Sequence, residues 1–357
     1  MRKRLLLPGA GTGASVNLLR SLRTGDPALF VVGCHHDRFV LKTSSADKRY
    51  LTPRSSHPWF ITALRRIIER EAIDLLIPVS DADVQVFSRL QRKIPCRLFL
   101  PRRPVIELCQ DKYALSVRLH SRGIPVPLTY PVSDMAQIPQ LFRRLPAGPG
   151  VWCRMRTGFG AVGASLVKDP KEARNWIKEW EARQGVPATT FVLSEYLPGR
   201  DFACQSLWKD GRLVLVKTSE RLSYYLPTNL PSVVSSVARL AKTVVAPEVV
   251  QVCTDAIRAL DKKATGIFSA DLKENAAGVP CITEINAGRF SSGTNLHDLT
   301  GKHNMAVTYV RLALGESVGI REEYDGTEDY YMLRGFDTSP EVFHAEEFFE
   351  GVEELWS

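Results

Sequence analysis

The order of apolar and polar positions in the first hundred residues predicts alternating strands and helices. RLLLPGAGTGASVNLLRSLR has the pattern of a buried strand, a glycine turn and an amphipathic helix. ALFVVGCHHD predicts a second strand, and WFITALRRIIEREAIDLLIPVSDAD predicts a further helix that leads into a strand. Because strands and helices alternate, we expect a Rossmann-like α/β domain whose parallel sheet binds ligands at the carboxyl ends of its strands.

The pattern changes after Leu108. CQDKYALSVRLHSRG predicts a helix with Lys112 in its first turn. GVWCRMRTGFGAVGASLV then predicts a strand that carries Arg154, a loop with several glycines, and a returning strand. A glycine loop between paired strands can bring backbone N–H groups close to phosphate oxygens. Taken alone, the same pattern is equally typical of a flexible hairpin.

The next segments predict further strands and one helix, APEVVQVCTDAIRAL. GIFSADLKENAAGVPCITEINAGRF then predicts a hairpin with Asp271 on one strand and Glu284 and Asn286 on the other. Strand alternation places Glu284 and Asn286 on one face, while the isoleucine between them points the opposite way. Three oxygen-bearing side chains are therefore expected to converge on one small volume.

Oxygen ligands on a rigid hairpin favour a hard cation. Mg²⁺ in particular is usually held by one or two carboxylates together with the phosphates of a nucleotide. The hairpin therefore indicates a nucleotide site. On the residues alone, an edge strand whose polar side chains face water remains the alternative, because three-residue patterns recur by accident.

The first glycine turn, GAGTGAS, predicts a competing function. It has the spacing G-x-G-x-G, Ala14 stands at the last small position of a dinucleotide fingerprint, and Asp37 follows the second strand as a candidate ribose partner. An NAD(P) oxidoreductase is therefore a second possibility. Glycines at such a turn also serve strand-to-helix packing when no cofactor binds.

Length and composition narrow the class of protein. A chain of 357 residues exceeds what one core usually organises, so we expect two or more lobes. No segment approaches the roughly 20 apolar residues of a membrane helix, and the N-terminal apolar run is too short for a signal-peptide core. The seven scattered cysteines form no C-x-x-C pair, which indicates a reducing cytosol and argues against a zinc site or disulfides. We therefore expect a cytoplasmic protein that does not bind membranes.

The net charge of +8 is unevenly distributed along the chain. From Arg321 onward there are 2 basic and 12 acidic residues, a net of −10, which leaves 45 minus 27, or +18, on residues 1–320. A basic body attracts anions. Because the basic residues are dispersed and no nucleic-acid motif occurs, we expect a small anionic ligand and no nucleic acid. Solvated surface charge, with the acidic tail folded against the body, is the alternative.

In their order, these segments resemble the ATP-grasp ligases, and within them the branch similar to one half of the carbamoyl-phosphate synthetase large subunit. The resemblance spans roughly residues 1–320 and rests on IDLLIPVSDAD, DKYALSVRLHSRGIPVP, the glycine loop, SEYLPGRD, GIFSADLK and TEINAGRF. It implies an α/β chain with a Rossmann-like preATP domain, residues 1–106, followed by a two-lobed α+β ATP-grasp domain. The expected parts of that domain are a small lobe with the glycine loop (107–190), a large lobe with the metal site (191–320) and an acidic C-terminal extension (321–357).

The resemblance also implies roles for individual residues. The residues expected at the nucleotide are Lys112 and Arg154 on the phosphates, Gly158, Gly160 and Gly163 in the loop that closes over them, Glu195, Tyr196 and Leu197 in the adenine hinge, and Asp201 on the ribose hydroxyls. The residues expected to hold one or two Mg²⁺ are Asp271, Glu284 and Asn286. The residues expected to contact the transferring phosphoryl group or the substrate are Arg289 and Arg154. Lys217 and Arg221, on a strand predicted to face the site, are further candidates for such a contact. For both, a solvent-facing position is equally open, because strand register cannot be fixed from sequence.

Three positions depart from the pattern of many relatives. Arg289 follows the metal asparagine in N-A-G-R where others have N-P-R, so its aim is open. Arg154 stands where many have lysine, and Asp201 where many have glutamate. Further candidates for the acceptor side are Arg239, His297, Asp298 and His303, and for the last three a role at a helix start is equally open.

From the resemblance we expect an ATP- and Mg²⁺-dependent carboxylate–amine ligase that forms ADP and an amide through an acyl phosphate. Mn²⁺ is an alternative ion, and a small-molecule acid and amine are the expected partners. A homodimer is left open. The competing functions are an ATP-binding subunit or regulator without ligase turnover and, less favoured, the NAD(P) oxidoreductase. The identities of the acid and the amine cannot be read from the sequence.

Overall fold

The computed structural model describes residues 2–158, 160–225, 237–335 and 341–347, without the side chains of 341–343 and 347. The strands are β1 Arg4–Pro8, β2 Phe30–His35, β3 Lys48–Leu51, β4 Leu75–Leu76, β5 Thr129–Pro131, β6 Val151–Met155, β7 Ser165–Val167, β8 Phe191–Ser194, β9 Asp201–Lys209, β10 Arg212–Tyr224, β11 Ala238–Thr243, β12 Gly266–Glu274, β13 Pro280–Ala287, β14 Tyr330–Leu333 and β15 Glu341–His344. The α-helices are α1 Gly13–Gly25, α2 Arg38–Lys42, α3 Phe60–Arg70, α4 Asp81–Leu90, α5 Arg103–Gln110, α6 Lys112–His120, α7 Ile138–Arg144, α8 Pro170–Gln184, α9 Pro247–Leu260, α10 Thr294–Thr300 and α11 Met305–Ala313.

The N-terminal sheet has four parallel strands in the order β3-β2-β1-β4. Its central strand β1 is apolar because both faces are covered, and Leu5 and Leu6 are fully buried. The predicted helix with period 3.6 is α3, which buries Phe60, Leu64 and other apolar residues on one side. Strand order reverses between β1 and β4, so the loops after these two strands flank the crevice in which such sheets bind ligands.

The second sheet is antiparallel, in the order β5-β8-β6-β7, and carries the glycine loop between β6 and β7. Here the structure differs from the predicted boundary at residue 190. Strand β8 pairs with β5 and β6, so this lobe extends to Ser194. The sequence pattern of β8 shows that it is a buried strand but not which sheet it joins.

The third sheet has seven antiparallel strands in the order β13-β12-β9-β10-β11-β14-β15. One face is apolar and packs against α5, α6 and α9. The other face changes character along its strands. At one end Leu207, Leu215 and Ile267 share a core with α11 and the N-terminal sheet. At the other end the same face carries charged side chains, among them Glu284, which contacts Lys112 of α6. The region between this end of the sheet and the residues Lys112 and Arg154 is called the cleft.

The predicted C-terminal extension is instead part of the large sheet. Strand β14 pairs with β11, and β15 pairs with β14. Just before them, the Val216 N–H donates to the Glu323 carbonyl and the Asp325 N–H donates to the Val216 carbonyl. Composition marked this segment by its acidity, but strand pairing depends on backbone partners that composition does not reveal. The remainder of the extension, residues 336–340 and 348–357, lies outside the described residues.

No helix within the described ranges is both long and apolar enough to cross a membrane. The seven cysteines are all free thiols. Most of them are buried.

A buried ion pair connects the C-terminal segment to the centre of the large sheet. Lys217 of β10 is only 1% exposed, and its Nζ lies 2.9 Å from Asp325 Oδ2 and 4.0 Å from Asp298 Oδ1. The same ammonium donates to the His297 carbonyl at 3.0 Å. Asp325 also accepts the N–H groups of Lys302 and His303. The segment is therefore fixed by charge as well as by strand pairing.

We expect Asp325→Asn to lower the free energy of unfolding by about 3 kcal/mol, because it leaves a buried ammonium short of its closest counter-charge. Urea denaturation of the purified variant measures this loss. Glu322→Gln is the matched control, since Glu322 is an exposed acid of the same segment. Equal stability of the two variants would contradict a structural role for the Lys217 pair.

Candidate active site

The predicted metal ligands meet in the β12–β13 hairpin. Asp271 lies directly opposite Glu284, and Ser269 lies opposite Asn286. Ile285 is 1% exposed and packs into the apolar face, as strand alternation predicts. The geometry therefore places two carboxylates and one amide on the same face, at the charged end of the large sheet.

Arg221 of β10 pairs with two of the candidate carboxylates. Its Nη1 donates to Asp201 Oδ1 at 3.1 Å, and its Nη2 donates to Asp271 Oδ1. The Tyr224 hydroxyl donates to the other oxygen of Asp201 at 2.6 Å. Burial raises the pKa of Asp271, and the Arg221 charge opposes that rise. Because both terminal nitrogens of Arg221 already bind carboxylates, its geometry favours holding these acids in place over a direct contact with phosphate.

Lys112 pairs with Glu284. Its Nζ lies 3.1 Å from Glu284 Oε2 and donates to the Gly158 carbonyl at 2.8 Å. Burial raises the pKa of Glu284, but the charges of Lys112 and Arg154 outweigh it and hold that pKa below its usual value. Glu284 is therefore ionised at neutral pH, as a metal ligand must be. Asp111 caps α6 through the Ala114 N–H, which fixes the helix that carries Lys112.

Arg154 lies in the same cleft and has a hydrogen-bond donor without a partner. Its Nη2 donates to the Thr283 carbonyl at 3.0 Å, whereas its Nε is buried and has no hydrogen-bond partner. Burial lowers the pKa of Arg154, while the charges of Glu284 and Asp271 counteract this. A buried donor without a partner costs about 1–3 kcal/mol. An anionic ligand oxygen would satisfy it, so this side chain fits the predicted phosphate contact.

The glycine loop has the backbone that its residues predict. Gly158 and Gly160 have φ of 117° and 71°, in the left-handed region, and no atom lies within 4 Å of where a Cβ would stand. At Gly163 a Cβ would lie 2.9 Å from Met155. The first two glycines therefore leave open space at the cleft, and the third allows close packing against β6. Phe159, between them, lies outside the described residues.

The predicted adenine hinge follows β8. The Glu195 N–H donates to the Leu128 carbonyl at 2.8 Å, and the Glu195 carboxylate accepts the Leu128 N–H at 3.2 Å. The N–H groups of Tyr196 and Leu197 donate to no other described residue. Two backbone donors are thus available where the hinge is predicted, and the role of these residues stays a prediction.

The predicted role of Lys217 requires a correction. It projects from the same sheet face as Arg221 but is buried, and its ammonium is engaged by Asp325, Asp298 and the His297 carbonyl. A strand that faces the site at one end continues into the core at the other. Register could not be fixed from sequence, so the prediction of a phosphate or substrate contact at Lys217 did not anticipate this burial.

Two of the acceptor-side candidates, His297 and Asp298, have structural partners. His297 and Asp298 are buried, and the Asp298 carboxylate accepts the N–H groups of Met305 and Ala306 at the start of α11. This is the role at a helix start that the sequence left open. Arg239 is exposed. The serine-rich residues 231–236 before it lie outside the described part of the chain.

Arg289 is bound by an acid that sequence reasoning did not assign. Its Nε and Nη2 lie 2.7 and 2.9 Å from the two carboxylate oxygens of Asp81, the first residue of α4. Its Nη2 also donates to Asn286 Oδ1 at 2.7 Å. Asp81 belongs to the motif IDLLIPVSDAD, so the only available signal was an acid at the carboxyl end of a Rossmann strand.

Other polar groups near the hairpin were also missed. Gln205 Oε1 accepts the Ser291 N–H at 2.9 Å and the Thr294 hydroxyl at 2.9 Å, which fixes the loop after β13. Arg334 is buried, donates to the Ser292 carbonyl and has an unpartnered Nε. No local pattern singles out these side chains, because their partners lie far away in sequence.

The first glycine turn is used for packing. A Cβ at Gly11 would stand 1.9 Å from the Val40 carbonyl oxygen, so α2 occupies the space beside the turn. Asp37, the candidate ribose partner, caps α2 by accepting the N–H groups of Phe39 and Val40. Both features of the NAD(P) hypothesis therefore have a structural explanation.

The donor set of the hairpin fits Mg²⁺. Two carboxylates and an amide oxygen are ligands that this ion accepts, with the remaining positions left to phosphates and water. Among the described residues there is no group of three or more His, Cys, Asp or Glu that could hold a metal ion.

No family model matches the chain. Solved structures resemble it closely in shape. An L-amino acid ligase from Bacillus licheniformis is 14% identical, with a TM-score of 0.68 over 92% of this chain and 78% of that chain. A carboxyaminoimidazole ribonucleotide synthase from Aspergillus clavatus, complexed with ATP, is 14% identical, with a TM-score of 0.67 over 93% and 82%. A biotin carboxylase from Campylobacter jejuni is 12% identical, with a TM-score of 0.71 over 92% and 74%. The predicted ATP-grasp fold is thereby confirmed.

A protein with a similar sequence also supports this fold. Carnosine synthase 1 of Mus musculus is 27% identical over 218 residues, an alignment that covers 54% of this chain. The matched part spans only about a quarter of that relative, 25% of its length. This likeness therefore supports the fold without transferring the activity of the longer protein.

The buried histidine beside Lys217 predicts a pH dependence of stability. Burial and the Lys217 charge lower the pKa of His297 to about 3. Below the ordinary histidine value near 6.5, the unfolded chain binds a proton that the folded protein cannot accept, so stability falls as pH falls. Asp298 acts in the opposite direction, because burial raises its pKa to about 6 and favours the protonated folded form.

We therefore expect the wild-type protein to lose about 1 kcal/mol of stability relative to His297→Asn between pH 7.5 and pH 5.5. Comparing the two proteins cancels the contribution of Asp298. Urea denaturation at both pH values measures the difference, with the exposed His120→Asn as the control. Parallel pH profiles for wild type and His297→Asn would show that His297 ionises freely.

Proposed function

We propose that this protein is an ATP- and Mg²⁺-dependent carboxylate–amine ligase that forms an amide through an acyl phosphate. One observation carries the proposal. The hairpin carboxylates Asp271 and Glu284 face the cations Lys112 and Arg154, and one of these cations has a buried donor without a partner. Such a cleft is suited to a polyphosphate with a metal ion, beneath a glycine loop.

The proposed role of each residue follows from its charge. Lys112 and Arg154 bind the phosphates, and Asp271, Glu284 and Asn286 hold the metal ion. Mg²⁺ supplies neutralisation of the phosphate charge when it is bound there. Arg289, which contacts Asn286 directly, receives the substrate carboxylate next to the metal ligands. Catalysis of phosphoryl transfer consists mainly of this positioning and neutralisation, because both reactants are anions.

The proposed reaction has two steps. A carboxylate oxygen attacks the γ-phosphorus, the bond from that phosphorus to the bridging oxygen breaks, and ADP leaves. The amine then attacks the carbonyl carbon, the bond from carbon to the phosphate oxygen breaks, and phosphate leaves while the nitrogen releases a proton to water. The glycine loop excludes water between the two steps, which prevents hydrolysis of the acyl phosphate.

The test is a screen of carboxylic acids with ATP, Mg²⁺ and hydroxylamine, which traps an acyl phosphate as a hydroxamate. We expect hydroxamate and ADP to form in equal amounts with the correct acid. Glu284→Gln should lose at least about a hundredfold in both products, since it removes a charge beside the phosphates. Circular dichroism checks that the variant is folded.

Two results would each contradict one part of the proposal. The first, normal ADP formation by Glu284→Gln, would show that Glu284 is not a metal ligand. The second is ATP binding with no hydroxamate and no acid-dependent ADP across a broad screen. In that case the protein is an ATP-binding subunit or regulator.

The phosphate contacts generate a separate expectation. Replacing Lys112 by Met should weaken ATP binding about tenfold or more and leave adenosine binding nearly unchanged, because only the anionic part loses its partner. Calorimetric titration with both ligands measures the two affinities. Lys171→Met, at an exposed lysine of α8, is the control. Equal weakening of ATP and adenosine would assign Lys112 a structural role.

A further inference from the structure

The Asp81–Arg289 pair lies where two parts of the fold meet. Asp81 begins α4, directly after the loop that follows β4, and so stands at the crevice where the order of the parallel strands reverses. Arg289 follows β13, the strand that carries the proposed metal ligands Glu284 and Asn286. Their side chains are 22% and 18% exposed, so the pair is accessible from the cleft. A ligand in this crevice meets one positive and one negative group side by side.

Both partners retain capacity for a ligand. The Arg289 Nη1 donates only to the Phe290 carbonyl at the long distance of 3.5 Å, so its hydrogens are nearly free. Asp81 accepts from the Arg289 Nε and Nη2, one bond to each oxygen. A carboxylate offers about four acceptor positions, which leaves room for further donors. A ligand can therefore bind both groups without breaking the pair.

Charge then selects among ligands. The Asp81–Arg289 pair is neutral, so a simple monoanion at Arg289 would leave the pair and its ligand with a net charge of −1. A zwitterion adds no net charge, because its carboxylate meets Arg289 while its ammonium meets Asp81. The guanidinium and the carboxylate are in direct contact, so the ligand's own charges must also lie close together. An α-amino acid has this arrangement.

We propose that the acid substrate is an α-amino acid, held by its carboxylate on Arg289 and by its ammonium on Asp81. This inference rests on the proposed ligase function and names the class of its acid substrate. Arg289 also contacts Asn286, so the carboxylate on Arg289 lies beside the metal ligands, where phosphoryl transfer is placed.

The contact between the ligand's ammonium and Asp81 also prevents the amino acid from attacking an acyl phosphate with its own amine. An ammonium bound to Asp81 stays protonated and has no lone pair for attack on an acyl phosphate. The activated amino acid is therefore a poor nucleophile in this position, and the amine of the product comes from a second molecule. Asp81 is accordingly a specificity-determining residue that fixes which partner is activated and which attacks.

The experiment uses matched acids that differ only in the amino group. Glycine and acetate, alanine and propionate, leucine and 4-methylpentanoate, and phenylalanine and 3-phenylpropionate are each offered with ATP, Mg²⁺ and hydroxylamine. We expect the best amino acid to exceed its desamino partner at least about tenfold in kcat/KM for hydroxamate, as is typical for loss of a charged hydrogen bond. Glycine, β-alanine and 4-aminobutyrate then measure the effect of charge separation, and activity should fall along this series.

Asp81→Asn provides the second arm. It removes the counter-charge of the ammonium, so the ratio of amino acid to desamino acid should fall toward one. Glu69→Gln, at an exposed acid of α3, should leave the ratio unchanged. If Asp81→Asn does not fold, the wild-type comparison of matched acids still decides the question.

The outcomes separate this inference from the ligase proposal. Hydroxamate formed equally well from amino and desamino acids, or best from 4-aminobutyrate, overturns the α-amino acid while the ligase function stands. An unchanged ratio in a folded Asp81→Asn overturns the role of Asp81. The absence of hydroxamate with every acid in a broad screen overturns the ligase function itself.

Discussion

Each carboxylate that the proposed reaction uses is paired with a cation, and this charge balance organises the cleft. Glu284 is paired with Lys112, Asp271 with Arg221, and Asp81 with Arg289. Partly buried charges of one sign would repel each other and lose hydration without compensation. The pairing therefore keeps a highly charged cleft stable in the absence of ligand. Two of the pairs also join separate parts of the fold, since Asp81 begins helix α4 after the N-terminal strand β4, and Lys112 lies on helix α6.

The large sheet supplies the rigid support for these charges. One face changes from an apolar core through buried polar groups to the charged end, along the same strands. Lys217 and Arg221 illustrate the transition on β10, because the first is 1% exposed in a core ion pair while the side chain of the second is 17% exposed in the cleft. A site built on strands whose other end is packed in the core holds its side chains with little freedom. The C-terminal segment contributes to this support through Asp325, which pairs with Lys217, and through β14, which pairs with β11.

The sequence predicted the features that depend on local period and missed those that depend on distant pairing. Strand alternation correctly placed Glu284 and Asn286 on one face, and the hairpin register places Asp271 opposite Glu284. The partner of Arg289 is 208 residues away in sequence, so no spacing rule could identify Asp81. The burial of Lys217 could not be predicted for a similar reason. Its burial depends on Asp325 in a strand-paired segment that composition had marked only as acidic.

Under the proposed function, the pairing also couples the binding of nucleotide and metal. Lys112 binds Glu284 and the Gly158 carbonyl together, so a cation alone must displace an ammonium to reach Glu284. Phosphates offer Lys112 a different anionic partner, which frees the Glu284 carboxylate for the metal. Either ligand breaks the ion pair between Lys112 and Glu284, so the second ligand binds without the free energy needed to break it. Such coupling is reciprocal. The site consequently favours the metal–nucleotide complex over either component.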